Sequence, residues 1–167
     1  AIGFWPLDGD SLDWSGGGNH GAWAGGGSYQ SGRFGEAHSL SPGVFMTVSQ
    51  PPALGSFTEV TFAAWFRTST VPPGNESLVG IGLDGAGGTP HAFLFLLGPS
   101  APGVTFNLWG SNGGIGTPNV VEPQVYDGSW HLFVATWDGS TSRIYFDGNL
   151  LSQNTGASGT VVPAPGE

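Results

Sequence analysis

Residues 126–148 read as two alternating strands set among Asp-Gly turns, and they constrain the fold more than any other stretch of the chain. In the first strand Trp130, Leu132, Val134 and Thr136 share one face. His131, Phe133, Ala135 and Trp137 share the other. Asp138-Gly139-Ser140 closes this hairpin and Asp147-Gly148 opens the next, because Asp and Gly tolerate positive φ. Large apolar groups on both faces predict a strand covered on both sides, inside a sheet sandwich. Residues 59–69 alternate as clearly, with Phe62, Ala64 and Phe66 on one side and Thr61, Ala63, Trp65 and Arg67 on the other. The expected core therefore includes Phe62, Trp65, Trp130, Phe133 and Val134, with Trp5 from the start of the chain.

The remaining apolar runs are short and bounded by Gly, Pro, Asn and Asp. They predict strands over residues 2–7, 21–24, 37–40, 44–48, 77–83, 91–97, 104–109, 120–125 and 150–153, with 84–90 as a hairpin tip. No stretch keeps a 3.6-residue apolar period between caps, so negligible helix is expected. The length of 167 residues suits one domain. Three arginines and no lysine stand against twelve acids, a formal charge of -9. That balance argues against nucleic acid, which needs a basic footprint, and against anionic membranes; it permits neutral glycans and divalent cations. Without cysteine, redox usage says nothing about compartment. No apolar run is long enough to span a membrane. Ala1 is read as following a cleaved leader or a removed initiator Met. Few charges and many Gly, Ser, Thr and Asn suit an extracellular, cell-surface or virion-surface setting.

The run "DGSWHLFVATWDGSTSRIYFDGNLL" resembles the late hairpin of laminin-G-like jelly rolls, members of the concanavalin-A-like lectin and glucanase superfamily. The opening "GFWPLDGDSLDWSGGGNHGAWAGG" resembles the first strand and Asn-His-Gly loop of that family. "GRFGEAHSLSPGVFMTVS" and "FTEVTFAAWFRTS" match its early and central strands, in the right order. The resemblance implies an all-β, two-sheet antiparallel jelly-roll sandwich over residues 1–162, with 163–167 as a tail or the start of a linker. It also implies a closing strand, acidic and β-branched, that nothing after Val162 resembles. The expectation is a sandwich completed by further residues, by rearrangement, or by a strand from another chain. The family often holds a structural calcium near its first loop. Asp8, Asp10, Asp13 and Asn19 crowd that loop here and offer the hard oxygens the ion needs. The alternative reading makes Asp8-Gly9-Asp10 a turn, with Asp13 and Asn19 bonding nearby amides.

Catalysis is not expected. Glycan hydrolysis needs two carboxylates across a cleft, and the superfamily's hydrolases carry them at alternate positions of one strand. No strand here has such a pair, and the five glutamates are scattered singly. No Gly-x-Ser-x-Gly elbow is present, and the glycine runs do not lead from a strand into a helix. Aromatics near Gly- and Asn-rich loops are better candidates. Trp14, Trp23, Tyr29 and Trp109 could stack on sugar faces, with Asn107, Asn112 and Asn119 bonding hydroxyls; each aromatic could equally pack under its own loop. The function expected is a non-catalytic recognition module for a glycan or a protein partner. The alternative is a structural assembly subunit of a virion or surface filament, by strand exchange or homo-oligomeric assembly. A glycan hydrolase ranks last.

Overall fold

A computed structural model describes residues 1–49, 55–81, 91–110, 113–117, 119–156 and 158–161. The expected hairpin tip at 84–90, Asn112 and the tail at 163–167 lie outside the described residues. The chain separates into two compact units, one within residues 1–55 and one beginning at Ser56.

The first unit is built from two small antiparallel pairs. Strand β1 (Gly21–Ala24) pairs with β4 (Phe45–Val48), and β2 (Tyr29–Ser31) pairs with β3 (Glu36–His38). Residues 2–7, expected to form a strand, do not. Their backbone bonds go instead to the following loop: Phe4 N–H donates to Asp13 Oδ1 at 2.9 Å, and Trp14 N–H donates to Phe4 O. Leu7 then turns the chain with φ of 60°, which ends any extended run. Trp5 is half-buried rather than core; its ring folds back over Gly3, where any Cβ would collide with it.

The second unit is a sandwich of two antiparallel sheets. Its first sheet is formed by β5 (Val60–Arg67), β11 (Trp130–Trp137), β12 (Thr141–Phe146) and β13 (Asn149–Thr155), in the order β13-β12-β11-β5. Its second is formed by β6 (Glu76–Ile81), β7 (His91–Leu97), β8 (Gly103–Gly110) and β10 (Val120–Val121), in the order β10-β8-β7-β6, with β9 (Gly113–Gly114) also on β8. A single 3-10 turn, Pro123–Tyr126, is the helical element described in this unit. The expected Asp147-Gly148 turn forms with both residues at positive φ, joining Phe146 to Asn149 in register.

The core lies between the two sheets. Phe62, Phe133, Trp137 and Ile144 face Leu94, Val104, Phe106 and Leu108. Phe62 meets Phe106 edge-to-face at 6.1 Å, and Phe66 stacks on Phe133 at 5.0 Å. The expected burial of Phe62 and Phe133 holds, but that of Trp65, Trp130 and Val134 does not. In β11 the row His131, Phe133, Ala135 and Trp137 is buried, whereas Trp130, Leu132 and Val134 are half-buried. Trp65, opposite Leu132, is 40% exposed. The sheet has one core face and one outer face, and period-two alternation assigns the odd residues of β5 to the outside. On that outer face Arg67 sits 5.2 Å over the ring of Trp130. β5, read from the sequence as a central strand, pairs with β11 alone; among the described residues no strand lies on its other side.

Replacing Trp137 by Ala is expected to destabilise the protein by about 3 to 5 kcal/mol, the range for a fully buried large aromatic. Trp65→Ala should cost about 1 kcal/mol or less, as for other exposed positions. Urea unfolding of both variants checks this; equal losses would contradict the assignment of faces.

Candidate functional site

Alternation in the β7–β8 hairpin decides what the second sheet presents on its outer face. Ala92, Leu94 and Leu96 of β7, and Val104, Phe106 and Leu108 of β8, point into the core. The intervening residues must face outward. Phe93 opposes Asn107 and Phe95 opposes Thr105, while Trp109 ends the row in register with residue 91. Phe93 and Phe95 stack on each other at 5.4 Å and are themselves buried, so this face has an aromatic floor. Phe93 also covers Gly80 of β6, where a Cβ would collide with its ring.

A second wall comes from residues 113–117, which run along β8. Ile115 and Gly116 N–H both donate to Leu108 O, and Thr117 N–H donates to Phe106 O. Gly116 is required by this close approach, since its Cβ would lie 2.1 Å from Phe106 O. Thr105 Oγ1 donates to Thr117 O at 3.1 Å, and Thr117 Oγ1 accepts from Phe106 N–H at 3.1 Å. Asn154 Nδ2 of β13 donates to Gly116 O at 2.9 Å and ties this wall to the other sheet. The result is a groove of about 340 Å³. Asn75, Phe95, Asn107, Trp109 and Asn119 carry its chemistry, and among the described residues no charged side chain lines it. Trp109 is 37% exposed.

Of the residues expected to bind carbohydrate, the structure brings Asn107, Trp109 and Asn119 into this groove. Trp23 and Tyr29 also come together, but elsewhere, in the first unit. Trp23 Nε1 donates to the Tyr29 hydroxyl at 3.0 Å, and both rings pack on His38, Trp23 face to face at 3.6 Å. These three rings are closed on one another. Trp14 stands apart at 62% exposure. Sequence reading left Asn75 and Phe95 out of the site. Phe95 was within reach, because the outward parity of Asn107 and Trp109 continues across the hairpin. Asn75 was not; only pairing in space brings its turn beside β7.

Asp8, Asp10, Asp13 and Asn19, the residues expected near calcium, all hydrogen-bond backbone groups. Asp13 is buried; its carboxylate accepts from the backbone N–H of Phe4, Ser15 and Asn19 and from the Ser15 hydroxyl. The Phe4 bond leads these in holding its pKa well below the carboxylate range. Asn19 Nδ2 donates to Ile2 O at 2.7 Å. Asp8 Oδ1 accepts from Glu36 N–H, and Asp10 Oδ1 from Leu12 N–H. Among the described residues no group of three His, Asp or Glu side chains is arranged to hold a metal.

One further cluster is ionisable and unforeseen. His131 is buried at the start of β11 with a carboxylate on each ring nitrogen: Asp147 Oδ2 at 2.8 Å from Nδ1 and Asp127 Oδ1 at 3.1 Å from Nε2. Both bonds are made at once only by the imidazolium, which donates from both nitrogens. Burial opposes that charge, but the two carboxylates outweigh it and the pKa of His131 is raised. The carboxylates are themselves anchored. Asp127 accepts from Ser129 N–H, which with His131 lowers its pKa. Asp147 is partly desolvated, yet the Leu132 N–H and His131 bring its pKa below the usual value. Phe66 and Phe146 cover the ring of His131. The cluster joins the turn before β11 to the turn after β12, and its geometry suits a fold staple.

Residues 41–166 match the family described as the concanavalin A-like lectin/glucanases superfamily, of laminin G type. Among solved structures, domain 4 of AbnA, a GH43 extracellular arabinanase from Geobacillus stearothermophilus in complex with arabinotriose, is similar. It shares 16% identity with a TM-score of 0.67, over 94% of this chain and 75% of that one. Domains LG4-5 of the mouse laminin alpha1 chain are 20% identical over 64% of this chain, with a TM-score of 0.49; the match spans 26% of that chain. A search of curated proteins gives no match.

The His131 cluster predicts a defined pH window. A raised His pKa contributes stability that is full below the unfolded value, about 6.5, and is lost as pH rises through the folded value. The lowered Asp pKa values contribute stability above about 3.9 that is lost as pH falls through their folded values. The melting temperature should therefore be highest between about pH 4.5 and 6 and fall as pH rises beyond about 6.5. His131→Gln should lower it within that window and flatten the alkaline decline. An unchanged profile would show that His131 is not charged in the fold.

Proposed function

The chain belongs to the concanavalin A-like lectin/glucanase superfamily, and we propose that it is a non-catalytic glycan-recognition module acting through the groove on the outer face of β7 and β8. One observation carries this reading: a part-exposed indole, Trp109, stands beside asparagine amides in a groove with an aromatic floor and no charged side chain among its described lining residues. Sugar rings offer apolar C–H faces to an indole and hydroxyls to amides, and such sites are usually aromatic with few polar groups. The described lining residues include no carboxylate, which favours binding without cleavage, since hydrolysis needs a carboxyl pair across the cleft. The arabinotriose complex of the AbnA domain is consistent with this use of the fold. An extracellular setting agrees with the low charge and with that domain's source in an extracellular enzyme.

A structural calcium belongs to the proposal only at Asp8 and Asp10, each of which keeps one carboxylate oxygen outside the hydrogen bonds described. Saturating calcium should then raise the melting temperature of a chelator-treated sample; an unchanged value would leave these carboxylates as turn formers.

A second reading, an assembly subunit that accepts a strand from a neighbour, is favoured by one observation. β5 is eight residues long, alternates cleanly and has a strand on one side only among the described residues. Mass measurement in solution separates the readings, since an assembly subunit should self-associate and a lone lectin should not.

Trp109→Ala should weaken glycan binding by tenfold or more, the usual cost of removing an aromatic anchor, about 2 kcal/mol. The melting temperature should change little. Calorimetric titration with the tightest-binding glycan of an array checks this; undiminished affinity would move the site away from the groove.

A further inference from the structure

We infer that the groove selects an uncharged oligosaccharide at least two rings long, read mainly by the amides of Asn75 and Asn119. This inference rests on the glycan-binding reading and adds the class of glycan.

Charge is the first constraint. Among the described residues the groove lining holds no ionisable side chain, in a chain of formal charge -9. The arginines are engaged elsewhere. Arg143 Nη1 donates to Asp138 Oδ2 at 2.6 Å, Arg67 lies over Trp130, and Arg33 lies over Phe34. Arg67 and Arg143 belong to the opposite sheet. A uronate or sulfate entering the groove would lose water and meet no counter-charge among the described lining residues, inside an overall negative field. A cationic amino sugar would meet no carboxylate. The groove therefore discriminates against both charged classes by leaving their charge unpaired.

Hydrogen-bonding capacity is the second constraint. The hydroxyls of Thr105 and Thr117 are already committed to the wall of the groove. Asn75 Oδ1 accepts from Gly98 N–H at 3.2 Å, which fixes the amide and leaves its NH2 to donate outward. Asn119 is exposed and makes no hydrogen bond among the described residues. Amides both donate and accept without charge, the complement of a ring hydroxyl.

Length is the third. Thr105, Asn107 and Trp109 share the outer face of one strand, and four residues of strand extend about 13 Å. That exceeds a single sugar ring. β7 and β8 are paired on both sides, so their edges offer no ladder to a peptide strand.

The test is calorimetric titration of the whole chain with neutral pentose and hexose trisaccharides, the matching monosaccharides, and a trigalacturonate. We expect a neutral trisaccharide to bind, its monosaccharide to bind at least tenfold more weakly, and trigalacturonate not to bind. Asn119→Ala should reduce trisaccharide affinity several-fold with no change in melting temperature, and Asn119→Lys should gain trigalacturonate binding. Asn75→Ala should give a similar loss, read beside its melting temperature. Trigalacturonate bound as tightly as the neutral sugars would overturn the charge inference and leave glycan binding standing. Equal affinity for mono- and trisaccharide would overturn the length inference. An Asn119→Ala protein that binds normally would overturn the role of that amide. Binding to no sugar at all would overturn the glycan reading itself.

Discussion

Phe62 packed edge-to-face on Phe106 joins the two sheets at the centre of the sandwich, and the placement of every outer residue depends on that inward row. Once Phe106 is buried, Val104 and Leu108 are buried with it, because side chains alternate along a strand. Thr105, Asn107 and Trp109 are then forced outward on the same strand. The groove is thus a by-product of core packing: its polar row cannot shift without turning the hydrophobic row of β8 to water. A site fixed in this way is held as rigidly as the sheet that carries it.

The same long hairpin that dominates the sequence also steadies the groove. Tyr126 O–H donates to Leu97 O at 2.6 Å and to Gly103 O at 3.3 Å, clasping the two ends of the β7–β8 turn. From β13, Asn154 holds the glycine-rich wall. His131, pinned between Asp127 and Asp147, locks the turn before β11 to the turn after β12. These are polar contacts at the margins of an apolar sandwich, where loops would otherwise leave buried groups without partners.

Much of this was legible from residue order. The hairpins, the positive-φ turn at Asp147-Gly148, the lack of regular helix among the described residues and the alternation of β11 all follow from period-two patterning and turn chemistry. The outer face of that strand misled, because Trp130, Leu132 and Val134 look as apolar as the inner row; alternation alone cannot say which of two apolar faces meets a second sheet. Residues 2–7 have strand composition, yet their backbone groups are claimed by Asp13 and by the loop that follows. In the site, Trp109 and Asn107 stood out by type. Asn75 lies over thirty positions earlier in the chain and reaches the groove only through the pairing of β6 with β7. The carboxylates at Asp8, Asp10 and Asp13 suggest an ion by composition; the backbone amides each of them accepts from became visible only in the fold.

The central claim is that the uncharged face of β7 and β8 is the contact surface for a glycan. The most direct measurement is a proton–nitrogen correlation spectrum recorded with and without a saturating neutral trisaccharide. The account predicts shifts at the indole N–H of Trp109 and at the side-chain amides of Asn75 and Asn119, with Trp23 unmoved. Shifts confined to Trp14, Trp23 and their neighbours, with the groove signals unchanged, would contradict it.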